Sequence, residues 1–99
     1  MTKKEFNELT QTGVVVVDFY ATWCGPCRML TPIFDELSVK LANKASFLKI
    51  DIDQSMELAQ AYQITSVPTI MIFKDGHRQE ILTGFMPQVV LEEKINVYL

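Results

Sequence analysis

Residues Val14–Tyr20 read VVVVDFY, and no other stretch restricts the possible folds as much. A strand with one face in water alternates apolar and polar residues; this run does not. Its β-branched and aromatic composition fits a strand covered on both faces, as in a parallel sheet. Such a strand needs helices on either side, and the flanking sequence supplies them. "TKKE" at Thr2–Glu5 has the spacing of a capping box, with Phe6 and Leu9 following at helical spacing. A first helix is therefore expected to about Thr10, with Gly13 breaking the chain before the strand. Beyond Pro26, the residues Leu30, Ile33, Phe34, Leu37 and Leu41 form a helical stripe. Pro26 suits a first turn, where no N–H is needed, whereas Pro32 lies deeper and is expected to kink the helix.

The alternation then repeats. "SFLKIDI" at Ser46–Ile52 reads as a second strand, followed by a short helix over roughly Ser55–Tyr62. "PTIMIF" at Pro68–Phe73 is a third strand, and Asp75–Gly76 is a strong hairpin signal. A fourth strand, about Arg78 to Thr83, should run antiparallel to the third. Pro87 opens a last helix whose apolar side is Val90, Leu91, Ile95 and Tyr98. The fold class is α/β: one domain over residues 1–99, with a mixed sheet and helices on both faces. A chain of 99 residues buries only about 60% of its unfolded surface, so the core is modest.

Charge and composition exclude several functions. The net charge is −3 and the nine Lys and Arg form no stripe or block, so no nucleic-acid partner is expected. The apolar run Val14–Val17 is far too short to span a bilayer, and "MTKKEFNEL" turns polar too soon for a signal peptide. These features imply a cytoplasmic protein with no membrane partner. In a reducing compartment, paired cysteines are catalytic or metal-binding more often than structural.

The chain has two cysteines, both in "WCGPC" at Trp23–Cys27, where the strand gives way to the helix. Helical geometry puts Cys24 at the cap and Cys27 about one turn in. Unpaired N–H groups and the positive end of the helix dipole favour a thiolate at Cys24. At about 0.3–1 kcal/mol when exposed and up to about 2 when partly buried, the dipole lowers a thiol pKa by about one unit. Such a thiol can attack a disulfide and leave again near neutral pH. The spacing lets Cys27 close a short ring onto Cys24 and displace a bound target. Gly25 leaves room for close approach and Pro26 stiffens the loop. Zinc is the competing use, but it wants about four ligands, and beyond the cysteines only His77 is available; on the hairpin it reads as an exposed bystander.

Asp18 interrupts the apolar run. Alternation places Val14, Val16, Asp18 and Tyr20 on one face and Val15, Val17 and Phe19 on the other, so Asp18 is buried whichever way the strand is turned. Unpaired burial raises a carboxyl pKa, and such an acid beneath the cysteines could take the Cys27 proton and return it. The plainer alternative is an acid at a frayed strand end, salt-bridged for structure. Lys49, in the neighbouring strand, is the candidate partner, although a lone lysine by default faces solvent. Pro68 opens an apolar strand where a cis peptide could hold a tight turn; sequence leaves the isomer open. Met29 and Met71 read as packing residues.

Together "VDFYATWCGPC", Pro32, "FLKIDID", "SVPTIMIF", "KDG" and Gly84 resemble the thioredoxin family over essentially the whole chain. The resemblance implies an exposed nucleophile at Cys24 and a buried resolving thiol at Cys27. It implies a buried Asp18 paired with Lys49, and a cis-Pro68 facing the disulfide. Trp23, Pro26, Val67, Gly84 and Phe85 would line the groove where an extended target segment docks. The activity implied is general protein-disulfide reduction, with no bound cofactor beyond the Cys24–Cys27 disulfide. The partners implied are thioredoxin reductase and targets such as ribonucleotide reductase, peroxiredoxins and methionine sulfoxide reductases.

Two departures stand out. The family usually begins with a strand, whereas here Met1 leads almost directly into the first helix. Four strands are therefore expected, with Ser46–Ile52 left as an edge and weak self-association of an otherwise monomeric protein through it. Tyr20 and Arg28 stand where the family often has Trp and Lys, which keeps the chemical type. Other functions for the same residues are an oxidant or isomerase, a redox-independent binding subunit using the same groove, and a soft-metal carrier. Gly25–Pro26 is the pairing expected of a reductant.

Overall fold

The computed structural model describes residues 1–99, and the elements follow the sequence pattern closely: α1 (Lys3–Thr10), β1 (Val14–Tyr20), α2 (Gly25–Lys40), β2 (Ser46–Asp51), α3 (Met56–Ala61), β3 (Thr69–Lys74), β4 (His77–Thr83) and α4 (Gln88–Asn96). The capping box at α1 is formed in both directions: Glu5 N–H donates to Thr2 Oγ1 at 3.1 Å and Thr2 N–H to Glu5 Oε1 at 3.0 Å. Of the two apolar residues at helical spacing in α1, only Phe6 anchors it. It is fully buried, with its ring 6.1 Å from Phe19, 5.0 Å from Tyr62 and 5.5 Å from Phe73. Leu9 is largely exposed. An eight-residue helix resting on a flat sheet covers its neighbours over little more than one turn, so one anchor and the buried Thr10 fill the contact.

The sheet order is β2-β1-β3-β4. β1 runs parallel to β2 and antiparallel to β3, and β3 and β4 are antiparallel. The sheet is therefore mixed, with four strands, and β2 lies at an edge. The β3–β4 hairpin turns through Asp75 (φ 51°) and Gly76 (φ 85°). Successive positive φ values suit the right-handed twist of the strands it joins. Asp75 also ties this turn to the start of β1: its Oδ1 accepts from Gly13 N–H at 2.9 Å, and its own N–H donates to the Gly13 carbonyl at 3.0 Å.

β1 is the central element that its composition demands. Val14 and Val16 pack with Leu30, Phe34, Leu37, Leu91 and Ile95 on the α2/α4 side. Val15, Val17 and Phe19 pack with Phe6 and Leu58 on the α1/α3 side. α2 continues through Pro32 for its full 16 residues. The ring removes one N–H, the one that would reach the Arg28 carbonyl, without ending the helix. In α4, Leu91 and Ile95 are buried and Tyr98 packs against the same cluster, while Val90 is exposed. Val90 adjoins Leu91 in sequence and so points about 100° away from it around the helix.

Candidate active site

β1 ends at Tyr20, and four residues later α2 begins with Cys24 as its N-cap. Cys24 has extended backbone angles (φ −90°, ψ 116°), and its Sγ accepts from the Cys27 N–H at 3.2 Å. This is the contact a Ser or Thr oxygen would make at an N-cap, with sulfur in its place. Proline at position 26 offers no N–H, so the first turn presents its donor at Cys27. The two cysteines form a disulfide, with Cα atoms 5.2 Å apart. Cys24 Sγ also lies 3.6 Å from the Val67 carbonyl oxygen. The Val67–Pro68 peptide is cis, so the isomer that sequence left open is resolved.

The sulfurs are more enclosed than expected. Cys24 is 5% exposed, against 1% for Cys27. Ala21 joins the two cysteines in a small cluster against which Tyr20, Ile52 and Val67 pack. Cys24 therefore meets solvent through a narrow opening rather than as an open side chain, although it remains the outer sulfur. A Cβ added at Gly25 would meet no atom of the chain within 4 Å. The space beside it is open.

An apolar groove of about 390 Å³ adjoins this opening, lined by Trp23, Ile52, Ile64, Thr65, Ser66 and Val67. Of the residues expected to meet a target, Trp23 and Val67 line this cavity, and Pro26, Gly84 and Phe85 do not. Pro26 lies exposed on the first turn of α2. Gly84, at φ 85°, donates its N–H to the Pro68 carbonyl at 2.9 Å, and Phe85 beside it is 41% exposed. A larger cavity, about 580 Å³, follows α1 and reaches Gly76 on the hairpin, far from the sulfurs.

Trp23 is itself held in place by a residue that sequence reading did not single out. Its Nε1–H donates to Asp53 Oδ2 at 3.0 Å, and Asp53 N–H donates to Asp51 Oδ1 at 2.9 Å. The signal was present in "DID", where an Asp accepts from the N–H two residues on.

Asp18 is fully buried on the α2/α4 side of β1, and neither carboxylate oxygen has a hydrogen-bond partner in the protein. Burial pushes its carboxyl up to about 7; Lys49 pulls it back and Asp35 pushes it further up. The expected Asp18–Lys49 pair is not formed. Register places Lys49 beside Asp18, but its Nζ sits 2.9 Å from Asp35 Oδ1 on α2. Both members of that pair stay partly in solvent, whereas reaching Asp18 would strip the ammonium of water. No three His, Cys, Asp or Glu side chains are grouped as a metal would require. His77 lies at the far end of the sheet, pairing with Lys74, which neighbours the start of β1.

A dithiol/disulfide pair at a helix start, beneath a cis-proline loop, is a redox arrangement, and comparison with known proteins decides its lineage. The family model described as Thioredoxin matches residues 1–97. The thioredoxin of Bacillus subtilis is 41% identical over 98 residues, covering 99% of this chain and 94% of that protein.

The chain belongs to the thioredoxin family.

A Staphylococcus aureus thioredoxin is 39% identical over 99 residues, covering all of this chain and 95% of its own length. Among solved structures, a mutant thioredoxin from Halobacterium salinarum superposes with a TM-score of 0.90 at 36% identity, over 99% of this chain and 86% of that one. A chain solved in work on thiol resolution of a yeast mitochondrial 1-Cys peroxiredoxin by the glutathione and thioredoxin systems gives 0.88 at 34% identity, over 97% and 90%. As a thioredoxin, the chain is a thiol-disulfide oxidoreductase acting as a protein-disulfide reductase, and Cys24–Cys27 is its redox-active pair. Thioredoxin reductase and disulfide-bearing proteins are the partners its family implies. None of its helices is long and apolar enough to cross a membrane.

Proposed function

We propose the following division of labour. Cys24 is the nucleophile: its thiolate attacks a target disulfide, forming a mixed disulfide and releasing one target thiolate. Cys27 then loses its proton to Asp18 and attacks Cys24 Sγ. The Cys24–Cys27 bond forms, the target's second sulfur leaves as a thiolate, and two electrons have passed from the dithiol to the target. Lys49 acts on Asp18 through its field rather than by contact. Pro68, with Gly25 and Pro26, shapes the approach to the sulfurs. Trp23 and Val67 receive the apolar side of an extended target segment, and Gly84 and Phe85 border it.

The observation that carries this reading is the Cys27 N–H donated to Cys24 Sγ at the start of α2. A donor fixed on that sulfur stabilises negative charge there and nowhere else in the pair. The decisive experiment is reduction of an insulin-type disulfide with a thioredoxin reductase and NADPH. Wild type turns over, and Cys24→Ser does not. A Cys24→Ser protein with undiminished turnover would refute the assignment.

Ribonucleotide reductase, peroxiredoxins and methionine sulfoxide reductases are the target classes we propose, in the cytoplasm, where reductases keep such dithiols reduced. The similarity to a chain from a peroxiredoxin-resolving system supports the second class. We also propose a monomer that self-associates weakly through the open edge of β2, which has no strand beyond it.

A further inference from the structure

The parallel register of β1 and β2 sets Asp18 beside Lys49, and alternation turns both side chains to the α2/α4 side, the side of Val16 and Phe47. Adjacent strands lie about 4.8 Å apart, so the sheet delivers an ammonium to the edge of the site that buries the carboxyl. The ammonium is nonetheless engaged elsewhere. Its 2.9 Å contact is with Asp35, eight residues beyond Cys27 on α2, and the Asp18 oxygens are left unpartnered. The Lys49 and Asp35 side chains are 39% and 54% exposed, so their pair forms with little loss of hydration.

We propose that Asp35 is a positioning residue of the reductase, acting through Lys49: its carboxylate diverts the one ammonium that the sheet places beside Asp18 and leaves the buried carboxyl without a counter-charge. Two effects of Asp35 then act in the same direction. It holds a positive charge away from Asp18, and its own negative charge opposes ionisation of Asp18. The charged groups that act on Asp18 are Lys49 from β2 and Asp35 from α2. On its other flank β3 sets the apolar Ile70 opposite, and the two cysteines of the site are joined to each other in the disulfide. Asp18 is thus kept protonated to higher pH than burial beside a free lysine would allow. Once ionised, that carboxylate is the stronger base, which extends the role proposed above for Asp18 in accepting the Cys27 proton.

The test is direct titration of the Asp18 carboxyl by carbon NMR on aspartate-labelled protein between pH 4 and 9, in wild type, Asp35→Asn, Asp35→Glu, Lys49→Gln and Asp35→Asn/Lys49→Gln. Asp35→Asn should lower the Asp18 midpoint by about 0.5–1 pH unit, and Asp35→Glu should restore it. In the Lys49→Gln background the same Asp35 change should have a smaller effect, because only the repulsion remains to be removed. A midpoint unchanged in Asp35→Asn overturns the proposal, as does an equal effect with and without Lys49. Failure of the underlying proton-transfer role would look different: the midpoint would move as stated, while the pH profile of mixed-disulfide release stayed where it was.

Discussion

At the scale of single residues, Asp18 and Trp23 show opposite ways of holding a polar side chain. Asp18 has no partner, and its carboxyl is raised to about 7 from an ordinary 3.8. Between those values the folded protein holds a proton that the unfolded chain has released. Stability therefore falls as pH rises, by about 1.4 kcal/mol per unit, and the cost is complete above pH 7. Asp18→Asn should match wild type near pH 4 and exceed it by up to about 4 kcal/mol above pH 7, as read from denaturant midpoints. The same variant should slow release of the mixed disulfide in stopped-flow traces while barely changing the first attack by Cys24; unaltered release would count against proton transfer. Trp23, 66% exposed, depends on Asp53. Asp53→Ala should lower Trp23 fluorescence anisotropy and raise KM for protein disulfides a few-fold, with reactivity toward a small alkylating reagent retained. As the chain's one tryptophan, Trp23 should also report the redox state through its emission.

At the scale of elements, α2 unites scaffold and chemistry. Its apolar stripe binds it to the sheet, and its first turn points an N–H at Cys24 Sγ. Serine accepts at an N-cap as well as any residue. Cys24→Ser should therefore fold with a stability within about 1 kcal/mol of the reduced wild type while losing all reductase activity, a separation checked by thermal melts in reductant beside the insulin assay. α1 is held differently. Its one large buried side chain is Phe6, so Phe6→Ala should cost about 3–5 kcal/mol and lower the urea midpoint accordingly, with the site chemistry unaffected in the folded fraction. The periodicity of α2 was readable because a long helix repeats its stripe over several turns. Spacing does not separate Phe6 from the exposed Leu9 in α1, or Leu91 from the exposed Val90 in α4, because a short helix on a sheet has a contact too narrow for spacing to define.

At the scale of the whole molecule, the order β2-β1-β3-β4 leaves the backbone of β2 without a neighbour on its outer side. A concentration series by analytical ultracentrifugation should show a rising weight-average mass at high protein concentration; a monomer at every concentration would reject pairing through that edge. The sequence by itself determined what depends on neighbours along the chain. It specified a buried central strand, a helix entered at Cys24, a hairpin at Asp75–Gly76 and two thiols one turn apart, since hydrophobic period, turn residues and motif spacing are local. Tertiary structure decided what depends on groups far apart in the chain competing for the same partner or the same solvent. It closed most of the water away from Cys24 with Tyr20, Ile52 and Val67, set an apolar groove against Ile52 and Ile64, and tied Trp23 to Asp53. It also gave Lys49 to Asp35 instead of Asp18. Register alone favours Asp18; the lower desolvation cost of a pair at the surface decides otherwise, and that cost exists only once the chain has folded and fixed which carboxylate stays wet.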